Sequence, residues 1–207
     1  MLSPVRVAVL VSGGGSNLQA LLDAQAAGKL SSGRITLVIS DSPAAYALAR
    51  AREAGVPALA FDKKALGRDR LEAEILAALR DHAIELIVLA GFLTILSPGF
   101  TGAYAGRILN VHPSLIPAFC GRGYYGLKVH EAALARGVKL TGATVHFVDE
   151  VPDGGPIILQ KAVRVHPGDS PESLQRRVME EAEWQILPEA VEQVCRERRK
   201  HVSEQTP

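Results

Sequence analysis

The sequence predicts an α/β protein, a single domain with a mostly parallel central sheet and helices on both faces. Three observations predict it. Short apolar runs alternate with stretches whose apolar residues recur at helical spacing, the pattern of strands joined by crossover helices. The first apolar run ends in Ser12-Gly13-Gly14-Gly15-Ser16-Asn17 and passes straight into a helical pattern. The chain of 207 residues is long enough for one sizeable core and too short for two unrelated domains.

Val5 to Val11 is the first predicted strand, and Leu18, Leu21 and Leu22 mark the first helix. Ile35 to Ser40 follows as strand, Pro43 to Ala54 as helix, Pro57 to Phe61 as a short strand, Asp69 to Asp81 as helix and Leu86 to Leu89 as strand. Such alternation implies a parallel sheet covered on both faces. Then come a strand at Arg107 to His112, a loop, a helix around Gly126 to Arg136 and two β-rich runs, Lys139 to Val148 and Pro156 to Val165. The last helix runs from Pro171 to Val194, with Ser170 as N-cap and Pro171 in its first turn. Asp41 is expected to cap the helix beginning near Pro43. The basic run Arg196 to His201 is expected to be a solvated tail, spanning 196–207.

Composition narrows the function. Lys plus Arg (23) and Asp plus Glu (22) nearly cancel, so no global field recruits nucleic acid or an anionic membrane, and an anionic substrate has to be bound locally. The opening residues lack the charged and apolar regions of a signal peptide, and the apolar stretch Ile84 to Leu96 is too short to span a bilayer. Cys120 and Cys195 stand alone, without metal-ligand or disulfide spacing. The expectation is a cytoplasmic, metal-free protein, monomer or homodimer, whose partners are small molecules.

Two motifs carry chemistry. In Ser12 to Asn17 the glycines let a backbone approach an anion closely at a helix N-terminus. Leu18 stands where a dinucleotide fingerprint would need its third glycine, and no Gly-Lys-Ser/Thr follows. A monophosphate fits the loop; so does a tight turn with no ligand. The second motif is Asn110-Val111-His112-Pro113. Alternation along a strand points Asn110 and His112 the same way, and Pro113 ends the ladder, leaving an amide and an imidazole at the strand's mouth. Asp153, in Asp153-Gly154-Gly155-Pro156, either supplies the acid for that pair or fills a turn. His146 is read as structural or orienting.

The whole pattern, Ile108 to Pro117 followed by Val145 to Glu150 and Asp153 to Ile158, resembles the 10-formyltetrahydrofolate-dependent formyltransferases from Val5 to about Pro188. The opening Val9 to Leu18 is similar to the branch that formylates glycinamide ribonucleotide in purine synthesis. The resemblance implies the formyltransferase fold with a Rossmann-like amino-terminal half, a phosphate-binding half (1–100), a catalytic and folate-binding half (101–195), and 10-formyltetrahydrofolate as co-substrate without a metal. Asn110, His112 and Asp153 would be catalytic. Gly15, Ser16 and Asn17 would hold the substrate phosphate, and Glu180 and Glu183 the region of its ribose and phosphate. Folate would lie against Leu93, Thr94, Ile95 and Leu96, against Asn110, and against Asp149, Glu150, Val151 and Pro152, with Arg68 near its glutamate tail. Thr94 stands where relatives commonly carry Arg, so it is expected to face the tail without a charge. The spacing from Arg177 to Glu183 is one residue longer than the family's. Cys120 is expected to be a bystander, since an amine attacks an activated formyl group without a protein nucleophile.

Overall fold

A computed structural model describes residues 3–204. Seven strands form one sheet in the order β3-β2-β1-β4-β5-β6-β7. β1 (Val5–Val11), β2 (Gly33–Ser40), β3 (Ala58–Ala60), β4 (Leu86–Leu89) and β5 (Ile108–His112) are parallel, whereas β6 (Leu140–Phe147) and β7 (Ile157–Arg164) run antiparallel to their neighbours. The central strands are apolar because both faces are covered. In β1, Val7, Val9 and Val11 join one core cluster, while Ala8 and Leu10 join the cluster on the opposite face.

The first cluster lies under α1 (Ser16–Ala26), α2 (Ala47–Glu53) and the carboxyl-terminal helices; the second lies under two helices given below as α4 and α5. α1 buries Leu18, Leu21 and Leu22, as their spacing predicts. α3 (Lys63–Leu66) is one short turn capped by Asp62. α4 (Arg68–Asp81) buries Leu71, Ile75 and Leu79. α5 (Pro98–Ala103) has Ser97 as its N-cap, and α6 (Leu127–Arg136) ends at Gly137 in a left-handed conformation. α7 (Pro171–Val178) begins as expected, with Ser170 accepting from the Ser173 N–H and Pro171 in the first turn.

Three expectations change. The helix expected from Pro43 starts at Ala47, so Asp41 is not its cap; its carboxylate instead accepts from the Thr94 hydroxyl at 2.6 Å and meets Lys63 at 3.3 Å. The expected last helix is interrupted: Met179–Glu183 is a π-helical turn between α7 and α8 (Trp184–Glu204). A π turn accommodates one extra residue in a helix. Finally, α8 continues to Glu204, so most of the expected tail is helical; 205–207 lie outside the described residues.

Candidate active site

β4 and β5 end beside the Ser12–Asn17 loop that closes β1, at the carboxyl edge where open α/β sheets bind ligands. The order puts β1 next to β4, so the chain doubles back there. The loop is tied to the segment after β4, with the Ser12 N–H donating to the Gly91 carbonyl (3.1 Å) and the Leu93 N–H to the Ser12 hydroxyl (2.9 Å).

Register builds the polar cluster at this edge. The antiparallel pairing sets Asn110 opposite His146 and His112 opposite Thr144, and directly opposed side chains share a face. His146 donates from Nδ1 to the Phe147 carbonyl (2.8 Å), which leaves Nε2 to accept from the Asn110 amide at 3.2 Å. The remaining Asn110 amide hydrogen reaches Asp153 Oδ1 at 3.4 Å. Asp153 Oδ2 lies 3.5 Å from His112 Nδ1 and accepts from the Gly121 N–H at 2.8 Å, and Oδ1 is 3.6 Å from His146 Nε2. One carboxylate thus touches both imidazoles and the amide. Burial raises its pKa, but the charge of His112 and the Gly121 N–H work against that, and the carboxyl is held below the usual carboxylate value.

His112 is not at an open mouth. His112 is 4% exposed, because the chain after Pro117 folds back and the ring's Nε2 donates to the Phe119 carbonyl at 2.8 Å. That return is pinned from β6 and β7: the Thr144 hydroxyl donates to the Ser114 carbonyl and accepts from the Ile116 N–H, and Gln160 donates to the Ile116 carbonyl. Of the three non-glycine residues with positive φ among the described residues, two are Phe119 (51°) and Asp153 (58°). Both grip His112. Such backbone is uncommon outside glycine and persists only where surrounding contacts enforce it. Asp153 is carried there by a tight turn in which the Asp149 carboxylate accepts from the Val151 N–H, and a side chain at Gly155 would strike the Phe147 carbonyl.

Around this centre the other expected residues fall unevenly. Gly15 is left-handed (φ 73°) and starts α1. Asn17 is buried and donates to Glu183 Oε2 at 2.6 Å, while the Ser16 hydroxyl faces the Met179 sulfur at 3.8 Å. Burial pushes Glu183 up to about 6, against the Asn17 hydrogen bond. Glu180 is not brought to the loop: it is exposed and lines a shallow depression with Ser173 and Arg176 on α7. Along the π turn Met179 and Glu183 share a side, and Glu180 points away from it.

On the folate side, Leu93 (59%) and Ile95 (54%) are exposed, as is Val151 (62%). Leu96 turns inward against the second core cluster, and Thr94 turns inward to Asp41 rather than outward to a tail. Asp149 and Glu150 are exposed and Pro152 is half-buried. Arg68 pairs with Glu72 at 3.4 Å, and Glu72 also accepts from the Ser97 N–H at 2.8 Å, so Arg68 stands at the end of this segment. Cys120 donates to the Pro117 carbonyl; burial foremost, and then Asp153, push its thiol up, so it is a poor nucleophile. His146, read from the sequence as structural or orienting, is brought onto the Asn110 amide by strand register. Two participants were not legible as such: Phe119 and Gly121 act through backbone atoms that leave no mark in side-chain chemistry.

A sheet edge offering an amide, two imidazoles and one carboxylate, with a glycine-rich loop at the start of a helix, points to the class. The formyl transferase family model matches residues 5–191, and the chain belongs to that family. Among its relatives, the phosphoribosylglycinamide formyltransferase of Haemophilus influenzae is 42% identical over 184 residues, covering 88% of this chain and 84% of the relative. The chloroplastic phosphoribosylglycinamide formyltransferase of Arabidopsis thaliana is 40% identical over 93% of this chain, which spans 66% of that longer protein. The crystal structure of glycinamide ribonucleotide transformylase 1 from Symbiobacterium toebii superposes with a TM-score of 0.87 at 44% identity, covering 94% of this chain and 89% of that one.

Proposed function

We propose that the protein is a phosphoribosylglycinamide formyltransferase, which moves the formyl group of 10-formyltetrahydrofolate to the amine of N1-(5-phospho-D-ribosyl)glycinamide in purine biosynthesis. The observation that carries the reading is the convergence of Asn110, His112 and Asp153 beside the Ser12 to Asn17 loop. The loop and Glu183 hold the phosphate and ribose, and Leu93, Ile95 and Val151 offer apolar edges to the folate. Small-molecule substrates are its partners, and it acts in the cytoplasm without a metal.

The amine attacks the formyl carbon, a C–N bond forms, and negative charge develops on the formyl oxygen. Preorganised donors must meet that charge. Asn110 gives the hydrogen now spent on its long contact to Asp153, and its other hydrogen stays on His146, which fixes the amide's orientation. The Phe119 carbonyl occupies the acceptor position on His112 Nε2 that the oxyanion takes over in the reaction. A carboxylate held low is a weak base toward a neutral amine, so Asp153 serves first as the counter-charge of His112. It receives the amine proton, directly or through water, once attack has made that nitrogen a strong acid. Collapse breaks the bond to the folate nitrogen, which takes up the proton Asp153 received, directly or through water, and leaves as tetrahydrofolate.

The test is release of tetrahydrofolate from purified protein supplied with both substrates. Release that depends on the ribonucleotide is expected. Equal release without it would identify a hydrolase and overturn the reading.

A further inference from the structure

Arg50, on the last turn of α2, lies behind the glycine loop. Its Nε donates to the Gly14 carbonyl at 2.8 Å and its Nη1 to Gln19 Oε1 at 2.9 Å, and its guanidinium sits 5.0 Å from the centre of the Tyr46 ring. One residue earlier in the loop, the Gly13 carbonyl accepts from the Ala47 N–H at 3.1 Å. Two successive carbonyls are therefore drawn toward α2. A trans peptide is planar, with its C=O and N–H pointing in opposite directions. Drawing the carbonyls of Gly13 and Gly14 onto α2 turns the N–H groups of Gly14 and Gly15 away from it. Those two amides have no acceptor among the described residues, and neither do the N–H groups of Ser16 and Asn17 in the first turn of α1. Successive free amides of this kind form an anion-binding concavity.

We infer that Arg50 is a positioning residue for phosphate recognition, clamping the Gly14 carbonyl so that the Gly15 amide faces the substrate phosphate. The inference rests on the proposed function and deepens it, because the loop's glycines alone do not choose which way their peptides face. Gly13 and Gly14 have open space where a side chain would begin, so no side chain of their own packs to hold their peptide planes. Ala47 holds one plane through a backbone hydrogen bond that no substitution of a side chain removes. The other depends on the Arg50 fork. Nη2 has no partner among the described residues, and Arg50 lines the same groove as Ser16, so its charge also adds to the field at the loop.

Arg50 is only partly buried, so Arg50→Gln is expected to fold, which a thermal melt checks. The variant should raise KM for the ribonucleotide about tenfold to a hundredfold, the scale of one charge-assisted hydrogen bond, with kcat within about threefold and KM for the folate unchanged. With the dephosphorylated glycinamide riboside, wild type and variant should be equally fast, a difference that general loosening of the fold would not produce. Arg50→Lys, which keeps the charge but not the fork, should recover only part of the loss. Inorganic phosphate titrated by calorimetry tests the clamp without turnover, and Arg50→Gln should bind it more weakly. Equal phosphate affinity for wild type and variant would overturn the clamp. If wild type binds phosphate more tightly than the variant yet fails to formylate the ribonucleotide, the clamp is supported and the assigned reaction is what fails.

Discussion

Asp153 is the residue on which the site converges, and its neighbours set how the variants should behave. Removing one oxyanion donor costs about 10²–10³ in rate in well-studied cases, so Asn110→Ala and His112→Ala should lower kcat by that order with little change in either KM. Asp153→Asn keeps the shape but deletes the charge beside His112. Because the two touch at 3.5 Å, the double variant with His112→Ala should lose much less than the sum of the singles. Steady-state kinetics on the four proteins checks this, and additive losses would mean the residues act separately. The glycines divide in the same way. A Cβ on Gly15 would lie 2.6 Å from the Cβ of Ala47, at φ 73°, whereas Gly14 meets nothing within 4 Å. Gly15→Ala should lower Tm and raise the ribonucleotide KM; Gly14→Ala should leave Tm unchanged.

At the scale of the element, the segment from Gly91 to Ser97 is fastened from below by three polar side chains: Ser12 on Leu93, Asp41 on Thr94 and Glu72 on Ser97. That fastening decides what Thr94 does. Its hydroxyl satisfies a buried carboxylate, one of whose oxygens, Oδ1, already lacks a partner. Thr94→Val should therefore cost about 1–3 kcal/mol in urea unfolding and raise KM for folate, while KM for the ribonucleotide stays put. An unchanged unfolding midpoint would show that the contact contributes nothing. The alternation is visible in the chain, since Leu93 and Ile95 face out while Thr94 faces in, yet its phase was not. A short loop carries no neighbouring turn of helix or strand to say which parity is buried.

For the molecule as a whole, two buried groups set opposing slopes in mild acid. His130 is fully buried, neither of its ring nitrogens has a partner among the described residues, and burial, with the charge of His112 added, pushes it down to about 4. Between pH 6.5 and 4 the unfolded chain binds a proton there that the folded chain refuses, so stability falls as pH falls, by about 2–3 kcal/mol at pH 4.5. Glu183 works the other way. Its folded value near 6 lies above the unfolded 4.5, so the folded state holds the proton more tightly, and stability rises as pH falls through 6, by about 2 kcal/mol once below 4.5. His130→Leu should gain on wild type by about 2–3 kcal/mol on going from pH 7.5 to 4.5, and Glu183→Gln should lose the opposing rise. Urea titrations at several pH values measure both, and parallel profiles for His130→Leu and wild type would remove His130 from the account.

Much of this was determined by the sequence alone. Strand order along the chain, the longer helices, the sheet covered on both faces, the glycine-rich turn after the first strand and the Asn110 and His112 pair follow from periodicity, glycine and proline, which act within a few residues of themselves; the short helices at 63–66 and 98–103 did not. The resemblance of Asp153 to a family position singled it out, although spacing by itself could equally have left it filling a turn; the structure sets its carboxylate against both imidazoles. Tertiary structure decided the rest. The pairing of β5 with β6 brought His146 onto Asn110, a matter of register between residues 36 apart, and the return of the chain at Phe119 buried the ring that a strand end alone would expose. A π turn, unmarked by composition, placed Glu183 on Asn17 and sent Glu180 elsewhere. Each of these is a long-range choice made by the packing of whole elements, in which a side chain's partner depends on segments that local propensity does not see.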